Sequence, residues 1–288
     1  MDHINLKARA KINITLDVTG VRDDGYHELK MIMQTVELYD GVYIKKIEKP
    51  IIKLKSNLEW LPKDERNLAY RAAALIREKY GIKEGVYIEL RKAIPVAAGL
   101  AGGSSDCASV LYGMNKLFDL GISRKTLAEI GLTLGSDVPY CLMRGTALAE
   151  GRGEILTRLP SCPKAWVVLA KPPMGLSTAA VYKAIDRAKE ISHPNTEAVI
   201  EAIKDKDLHR MARNLSNVLE TVSMEMCPMV GEIKRRFMET GAIGSLMSGS
   251  GPTVYGLFES RKIAQSSAET IKEEFGLRDV ALTKIYNV

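Results

Sequence analysis

The sequence predicts an α+β protein in which helices separate mostly antiparallel strands. Three observations lead to this prediction: a first segment that alternates apolar and polar residues, a series of amphipathic helical stretches, and a second set of strands and helices that follows two prolines near residues 156–163. Strands interleaved with helices in both halves are typical of α+β folds. The 288 residues suffice for two modest domains. We place these domains at residues 1–158 and 159–288.

The first half begins with a half-buried strand over residues 4–20. Ile12 and Ile14 fall on its apolar face, and Lys11 and Asn13 fall on the other. The same criteria predict further strands at residues 31–38, 42–47, 51–55, 86–90 and 145–150. Amphipathic spacing predicts helices at residues 67–80, 104–118 and 124–134.

The second half opens with a buried strand at residues 165–173. Helical spacing then predicts four helices, at residues 177–189, 196–203, 207–220 and 228–240. The chain closes with two strands joined by a glycine turn, a helix and a last strand, at residues 243–248, 253–258, 260–275 and 280–286.

Composition is that of an ordinary globular chain, with 46% hydrophobic and 26% charged residues. The formal charge is +6, but basic and acidic residues are interleaved, so no nucleic-acid surface is predicted. No apolar run approaches the roughly 20 residues that span a bilayer, so no membrane partner is expected. The four cysteines form no CxxC pair and the four histidines are scattered. We therefore predict no metal-ligand cluster and a reducing, cytoplasmic location.

The stretch PVAAGLAGGSSDCA at residues 95–108 carries almost no bulky side chain where a strand ends and a helix begins, near Ser104. A helix N-terminus presents about four unpaired backbone N–H groups and a partial positive charge. Where side chains are missing, an anion such as phosphate reaches those groups directly. The alternative is a tight turn in which Ser104 or Ser105 caps the helix. This stretch alone leaves both interpretations open.

A second small-residue stretch, LMSGSGPTVYG at residues 246–256, repeats the arrangement between two predicted strands. Its structural alternative is a glycine-rich β-turn. Neither stretch matches a familiar phosphate motif, because no Gly-Lys pair gives GxxxxGK[ST] and GSGPTV has Val254 where GxGxxG needs glycine. Two such stretches in one chain favour an anion site over two unrelated turns.

Lys11 and Asp137 are the candidates for chemistry. Lys11 shares the polar face of the first strand with Asn13, a face that would be solvated if it had no function. Asp137, in LGSDVPY, would otherwise cap a helix ahead of Pro139. A carboxylate can accept the proton of an attacking alcohol, and a nearby ammonium keeps that carboxylate ionised. Such a pair suits phosphoryl transfer to a hydroxyl, in which positioning matters more than proton abstraction.

Three segments, in this order, resemble the three motifs of the GHMP small-molecule kinases: ARAKINITLDVTGVRDDGYHEL, PVAAGLAGGSSDCA and LMSGSGPTVYG. The match runs from Lys7 to about Phe258, and this combination of motifs is highly specific. The resemblance implies a two-domain α+β fold, with an N-terminal ribosomal protein S5 domain 2-like part and a C-terminal ferredoxin-like α/β sandwich. It also implies a kinase that uses ATP and Mg²⁺.

The resemblance assigns roles to individual residues. Lys11 and Asp137 become the catalytic pair, and Asn67 and Lys92 fall near the nucleotide. The loop around the ATP phosphates comprises Pro95, Val96, Ala97, Ala98, Gly99, Leu100, Ala101, Gly102, Gly103, Ser104 and Ser105. Because no dedicated acidic ligand is evident, Mg²⁺ would take water, phosphate oxygens and a loop serine.

For the segment RDDGYHEL at residues 22–29, the resemblance implies a cytidine-diphosphate substrate. The residues on the substrate side would be Asn13, Tyr26, His27, Asp137, Thr178 and Tyr182. A pyrimidine held between two aromatic rings gains about 1–3 kcal/mol per stacking contact. Without the resemblance, Tyr182 would be interpreted as a core residue.

One departure from the family pattern is Ala101, where glycine is common; an alanine is tolerated there if its φ is negative. Two alternative functions remain. The first is another kinase of the family, with homoserine or a mevalonate derivative as acceptor; RDDGYHEL argues against it because that segment suits a pyrimidine. The second is a non-catalytic protein that binds RNA, which would need a more basic, aromatic first strand. The sequence predicts no particular oligomeric state.

Overall fold

The computed structural model describes residues 1–188 and 191–288 and divides into two compact units. Strands β1 (His3–Val21) and β2 (His27–Ile47) each contribute residues to both units. Unit 1 comprises Met1–Ala10, Leu38–Val96 and Ala101–Met143. Unit 2 comprises Lys11–Glu37, Ala97–Leu100 and Arg144–Val288. The units are therefore interleaved along the chain, and the linear boundary between residues 158 and 159 stays a prediction.

Unit 1 contains a sheet with helices on one face. Besides its parts of β1 and β2 it has β3 (Ile52–Ser56) and β4 (Gly85–Arg91); β4 runs parallel to β3 and antiparallel to β2. Its helices are α1 (Leu68–Lys79), α2 (Gly102–Leu117), α3 (Arg124–Leu132) and α4 (Val138–Met143). Helices α1 and α2 pack side by side, and α4 packs on α2 and α3.

Alternation of side chains gives the unit 1 sheet a buried and an open face. Ile44 and Ile88 are fully buried. Helix α2 lies so close above Ile44 that a Cβ added at Gly113 would be 2.5 Å from its Cδ1. The residues between these buried positions point the other way. We call that side the open face; it carries Tyr43, Lys45, Lys53 and Tyr87.

Unit 2 contains two groups of strands. In the first, β5 (Thr146–Gly151) pairs with β2 and with β6 (Ile155–Arg158), and β8 (Ser216–Asn217) pairs in parallel with β1. The second is an antiparallel sheet in the order β11-β7-β10-β9, formed by β7 (Trp166–Lys171), β9 (Gly244–Met247), β10 (Val254–Phe258) and β11 (Asp279–Lys284).

The described residues of unit 2 also form six helices: α5 (Thr178–Ile185), α6 (Thr196–Lys204), α7 (Leu208–Arg213), α8 (Glu220–Met226), α9 (Met229–Glu239) and α10 (Arg261–Glu274). Helix α9 packs on β9 and β10, and α10 packs on β7 and β11. Apolar residues face the sheet from both helices, among them Ile233, Phe237, Ala264 and Ile271, all fully buried. No helix of the described residues is both long and apolar enough to cross a bilayer.

The predicted helix at residues 207–220 is correct only in its first half. Helix α7 ends at Arg213, and Ser216–Asn217 form β8. Tertiary pairing explains the difference, because Thr15 and Leu16 of β1 pair with these two residues. Helical spacing in the sequence carries no information about a partner strand two hundred residues away.

Other predicted elements differ mainly in their ends. Residues 31–38 and 42–47 belong to a single strand, β2. The predicted helix at 177–189 is observed as α5, and its predicted end at Lys189 lies outside the described residues. Strand β6 and helix α4 were not predicted.

Candidate active site

The backbone of residues 97–101 alternates in handedness. Ala97, Gly99 and Ala101 have φ values of +52°, +73° and +54°, while the residues between them do not have positive φ. Left-handed conformation costs an L-residue about 1–2 kcal/mol, so two alanines in it form a strained segment. The condition for tolerating an alanine at position 101 without strain, a negative φ, is therefore not met. Alternating handedness turns successive backbone N–H groups toward one side, which is the geometry of an anion-binding nest.

Helix α2 continues directly from this segment. It begins at Gly102, with Ala101 at the N-cap and no side chain bonded to the N-terminal N–H groups. The helix therefore starts two residues before the predicted start near Ser104, and neither Ser104 nor Ser105 caps it. Because no side chain occupies the first N–H groups, they remain able to bind an anion.

Within unit 2, residues 97–100 contact the second small-residue stretch, residues 246–256. The Oγ of Ser248 donates to the Gly99 carbonyl oxygen at 3.0 Å. A Cβ added at Gly99 would lie 2.1 Å from the Ser248 carbonyl oxygen, so only glycine fits there. The backbone N–H of Lys11 donates to the Leu100 carbonyl oxygen at 3.1 Å, which ties β1 to the same loop.

Two buried side chains hold the stretch at residues 247–251. The Asn217 amide donates to the carbonyl oxygens of Met247 and Gly249 at 2.9 and 2.8 Å. Glu220 accepts the Met247 N–H at 2.7 Å and pairs with Lys234 at 2.5 Å. Burial raises the pKa of Glu220, and the Lys234 ammonium opposes that rise. Sequence reasoning missed both Asn217 and Glu220, because nothing in the pattern marks a polar residue as buried.

Lys11 and Asn13 are buried, so a solvated strand face is not what the structure shows. The Lys11 Nζ donates to the Asn13 Oδ1 at 2.7 Å, and the Asn13 amide contacts the Met31 Sδ at 3.2 Å. The Asn13 carbonyl oxygen accepts the Tyr255 hydroxyl at 2.9 Å. A Cβ added at Gly249 would lie 3.4 Å from the Lys11 Nζ, so this ammonium reaches the stretch at residues 247–251.

Asp137 immediately precedes helix α4 in unit 1. Its carbonyl oxygen accepts the Cys141 N–H at 3.0 Å, which is the first backbone bond of that helix. The side chain is half-buried. Its predicted pairing with Lys11 stays a prediction.

Asn67 and Lys92 both have structural partners in unit 1. Asn67 caps α1, since its Oδ1 accepts the Ala69 N–H at 3.0 Å. The Lys92 ammonium contacts two carboxylates, those of Asp40 and Asp106, and lies 2.6 Å from the Asp106 Oδ2. Contact of Asn67 or Lys92 with a nucleotide stays a prediction.

The three charges of Asp40, Lys92 and Asp106 form what we call the buried triad. Each side chain is at most 4% exposed. Burial, opposed by the Lys92 ammonium, raises the pKa of Asp106 to about 7. Burial lowers the pKa of Lys92, but the two carboxylates raise it more, so its net pKa is above the ordinary value. The sequence shows Asp106 directly after GGSS, yet gives no sign of its pairing with Asp40.

Predicted substrate-side residues meet within unit 2. The His27 Nε2 lies 2.7 Å from the Asp186 Oδ1, and the His27 and Tyr182 ring centroids are 4.7 Å apart. Thr178, at the start of α5, shares a 2.9 Å hydroxyl hydrogen bond with Ser250. We call His27, Tyr182 and Asp186 the aromatic cluster.

Tyr26 is exposed to 55% and does not belong to that cluster by ring contact. Its ring instead lies under the Arg152 guanidinium, 4.8 Å from centroid to Cζ. A cytosine held between Tyr26 and Tyr182 therefore stays a prediction.

Comparison with known proteins identifies the family. Residues 67–145 match the family model described as GHMP kinases N terminal domain, and residues 199–276 match GHMP kinases C terminal. Proteins named 4-diphosphocytidyl-2-C-methyl-D-erythritol kinase from Lachnospira eligens and from Clostridium botulinum (strain Eklund 17B / Type B) are 46% and 50% identical to the chain. The alignments cover 99% and 98% of this chain and 99% of each relative. The chain belongs to the GHMP kinases.

Solved structures agree with this assignment. A crystal structure of 4-(cytidine 5'-diphospho)-2C-methyl-D-erythritol kinase is 32% identical in sequence and superposes with a TM-score of 0.84. The match covers 99% of this chain and 100% of the chain in that structure. Homoserine kinase from Cytophaga hutchinsonii, 21% identical with a TM-score of 0.78 over 99% of this chain and 94% of its own, shares the fold. The predicted α+β GHMP-kinase fold is confirmed, and the chain is a small-molecule kinase.

Proposed function

We propose that this kinase transfers the γ-phosphoryl group of ATP to the 2-hydroxyl of 4-diphosphocytidyl-2-C-methyl-D-erythritol, a step of non-mevalonate isoprenoid synthesis. The acceptor is the one in the names of the relatives that are 46% and 50% identical to the chain. One observation supports phosphate binding most directly. The backbone handedness alternates at Ala97, Gly99 and Ala101, and this segment leads into a helix without a side-chain cap. Strain of this kind persists where function requires it.

Backbone N–H groups would hold the ATP phosphates, because the loop residues from Pro95 to Ser105 are mostly small. The contact of Gly99 with Ser248 supports this role, since it fixes the loop on the neighbouring stretch without any bulky side chain. Asn67 and Lys92 would lie near the nucleotide. Phosphoryl transfer depends mainly on such positioning and on charge stabilisation.

Asp137 would accept the proton of the 2-hydroxyl and orient its oxygen. The Lys11 ammonium would attract the developing negative charge, and its hydrogen bond to Asn13 would hold the ammonium in place. A positioned base of this kind contributes about 10²–10⁴ in rate. Burial supports the role of Lys11, because an ammonium in a poorly solvated site interacts more strongly with nearby charge.

The family implies Mg²⁺, and oxygen donors of the type that this ion prefers lie in the first turns of α2. Ser104 and Ser105 supply hydroxyls, and the buried Oδ1 of Asp106 has no hydrogen-bond partner in the part of the chain that the structure describes. No three acidic, histidine or cysteine side chains among residues 1–188 and 191–288 could hold a metal together. Water and phosphate oxygens would therefore complete the ligand set. When bound, Mg²⁺ would neutralise phosphate charge.

The aromatic cluster and Tyr26 would bind the cytidine. The rings of His27 and Tyr182 touch directly, so a base would stack on an outer face of Tyr182. The contact of His27 with Asp186 fixes the imidazole, which leaves backbone groups beside His27 to read the edge of the base. Asn13 and Thr178 would contact the remainder of the substrate.

The test is a comparison of acceptors with the purified protein. ATP turnover is measured with 4-diphosphocytidyl-2-C-methyl-D-erythritol, with homoserine and with mevalonate. We expect kcat/KM for the cytidyl substrate to exceed the other two by at least about 10³-fold, because a site that bonds the base rejects acceptors without one. Faster turnover of homoserine or mevalonate would assign the protein to another branch of the family.

We also propose a cytoplasmic location. The four cysteines are buried, and none is joined in a disulfide. Burial raises the pKa of Cys107 and of Cys162 to about 12, which keeps these thiols protonated and unreactive. Free thiols of this kind suit a reducing compartment. Recovery of the protein from the periplasmic or membrane fraction of its source cells would contradict this.

A further inference from the structure

A pocket of about 530 Å³ opens on the open face of the unit 1 sheet, on the side away from α2. We call it the lysine–tyrosine pocket; it is lined by Tyr43, Lys45, Ile47, Lys49, Ile51, Lys53 and Tyr87. Its volume lies within the usual range for small-molecule sites, about 300–1,000 Å³. None of these residues has a role in the proposed kinase site, so the inference drawn from the pocket does not rest on that proposal.

Strand pairing places two lysines beside one tyrosine. Lys45 of β2 pairs in register with Tyr87 of β4, and Lys53 of β3 pairs with Tyr87 from the other side. Residues in register lie about 5 Å apart on the same face of a sheet. Both lysines are exposed. The Tyr87 ring therefore lies between two ammonium-bearing side chains.

A turn after β2 forms one wall of the pocket. The Ile51 N–H donates to the Lys49 carbonyl oxygen at 2.7 Å, and the Val86 N–H donates to the Ile51 carbonyl oxygen at 3.0 Å. This turn crosses so close to β4 that a Cβ at Gly85 would lie 1.9 Å from the Lys49 oxygen. Only a glycine at position 85 lets the turn pack this closely against β4. The turn also places the exposed ammonium of Lys49 at the rim of the pocket, as its third positive charge.

The floor of the pocket is aromatic. Tyr43 meets Tyr87 edge to face at 6.3 Å, and His3 meets Tyr43 at 5.6 Å. Acidic charge is partly compensated: the Tyr87 hydroxyl donates to Glu89 at 3.3 Å, and Glu89 is paired with Arg91 at 2.9 Å. The rim consequently keeps a positive balance over an aromatic floor.

We propose that the lysine–tyrosine pocket binds a nucleotide unit, with the base against Tyr87 and the phosphate among Lys45, Lys49 and Lys53. Aromatic rings bind bases of any identity by stacking, and ammonium groups bind phosphate as point charges. The unit is either a free nucleotide or part of a single-stranded nucleic acid. The sequence did not reveal this site because the lysines come from a strand, a turn and another strand.

Binding is tested on the full-length protein with two probes, a fluorescently labelled uridylate dodecamer followed by anisotropy and free UDP followed by calorimetry. The double variant Lys45→Gln/Lys53→Gln should weaken binding of a probe that occupies the pocket by about tenfold or more. The matched control is Lys63→Gln/Lys125→Gln, which removes the same charge at exposed unit 1 positions that do not line the pocket. This control should change binding less than about twofold, since it removes only long-range charge.

The aromatic part of the proposal has its own variants. Tyr87→Leu should weaken binding by about 5- to 100-fold through lost stacking, whereas Tyr87→Phe should retain it. Salt gives a further measure: three phosphate contacts to a single strand predict about a 20-fold loss of oligonucleotide affinity between 50 and 200 mM salt. In Lys45→Gln/Lys53→Gln this loss should fall to about threefold. Kinase activity and unfolding temperature should match the wild type in the lysine variants.

The outcomes separate clearly. If only the dodecamer responds to the pocket variants, the ligand is single-stranded nucleic acid; if UDP responds to the same extent, the ligand is a free nucleotide. The proposal is overturned if neither probe binds below about 1 mM. It is equally overturned if the pocket variant and the Lys63→Gln/Lys125→Gln control bind alike, because binding then takes place elsewhere.

Discussion

The Nζ of Lys92 lies 2.6 Å from the Oδ2 of Asp106 in a fully buried ion pair. The same ammonium contacts Asp40, so one positive charge serves two carboxylates. Asp40 also accepts the backbone N–H groups of Ala93 and Ile94 at 2.6 and 2.8 Å. The buried triad therefore joins the chain after β4 to the second turn of α2. This is the helix that begins directly after residues 97–101.

Removing the shared cation should destabilise the protein strongly. Lys92→Met leaves two buried carboxylates without a counter-charge, and we expect the free energy of unfolding to fall by about 3–5 kcal/mol. Asp106→Asn should cost no more than about 1 kcal/mol, since Lys92 keeps Asp40 and the amide still accepts a hydrogen bond. Urea unfolding measures both values.

Lys63→Met is the matched control, because Lys63 is an exposed lysine of the same unit. It should change the free energy of unfolding by about 0.5 kcal/mol or less. Equal losses in Lys92→Met and Lys63→Met would show that the buried triad does not stabilise the fold.

The buried triad also predicts a pH dependence. The pKa of Asp106 is about 7 in the folded protein and 3.8 ordinarily, so across this window the folded state holds a proton that the unfolded chain has released. The free energy of unfolding contributed by Asp106 therefore decreases as pH rises from about 4 to about 7, and is constant above. Asp106→Asn removes this contribution.

The measurement is the difference in free energy of unfolding between wild type and Asp106→Asn, taken from pH 4 to pH 8. Wild type should lose stability relative to the variant as pH rises, because only wild type must release the proton. Exposed groups with lowered pKa values, such as Asp64, make the free energy of unfolding rise with pH. Their contributions are the same in both proteins and cancel in the difference. A difference that is constant with pH would contradict the raised pKa.

Much of the fold could be predicted from alternation and helical spacing. Ile12 and Ile14 are fully buried as the first strand predicts, and α1 begins and ends within one residue of the predicted helix. Patterns of this kind are local, so they survive in any fold that buries one face of each element. The end of the helix predicted at residues 207–220 was wrong, because part of that segment forms β8 by pairing with β1.

The candidate site was predictable only where it depends on missing side chains. The absence of bulk around Gly99 and Gly102 is visible in the sequence, and the role proposed for Lys11 comes from the motif resemblance. Asp40 and Asn217 could not be found, since their importance comes from partners far away along the chain. Handedness at Ala101 was equally invisible, because alanine ordinarily adopts negative φ.

Strain at Ala101 gives a third prediction. Its φ is +54°, so Ala101→Gly should remove about 1–2 kcal/mol of strain and lose about 0.4–1 kcal/mol through the greater freedom of the unfolded chain. The expected net change is a stabilisation of up to about 1.6 kcal/mol, measured by urea unfolding. Ala93→Gly is the control, because Ala93 is an exposed loop alanine whose φ is not positive. It should destabilise, and equal effects of the two substitutions would contradict strain at Ala101.

The aromatic cluster gives a fourth prediction. Tyr182→Leu should raise the KM of the cytidyl substrate by about 5- to 100-fold through lost stacking, and leave the KM of ATP within about twofold. Tyr39→Leu serves as control, since Tyr39 is a partly exposed tyrosine of unit 1 that contacts Lys7. Steady-state kinetics with each substrate varied in turn measures both constants. Equal increases for both substrates would argue that Tyr182 supports the fold and does not bind the base.

The fifth prediction concerns Asp137 and Lys11. Asp137→Asn should lower kcat by at least about 10² while the Kd of ATP stays within about threefold, because the amide keeps the shape of the side chain but cannot accept the proton. Lys11→Met should lower kcat comparably, since the charge that steadies the reacting oxygen is lost. Single-turnover kinetics and ATP titration measure the two quantities separately.

The double variant decides whether the two residues act together. If Asp137 and Lys11 serve one step, Asp137→Asn/Lys11→Met should lose little more than the worse single variant, because residues that act as a unit are not additive. Losses that multiply would mean that the two side chains contribute independently, and the catalytic pair would have to be abandoned.

Asp119→Asn is the matched control: Asp119 is exposed and has φ of +52°, which asparagine tolerates, so its kcat should equal that of the wild type. Turnover near the wild-type rate in Asp137→Asn would leave Lys11 and the bound phosphates to account for the chemistry without a carboxylate base.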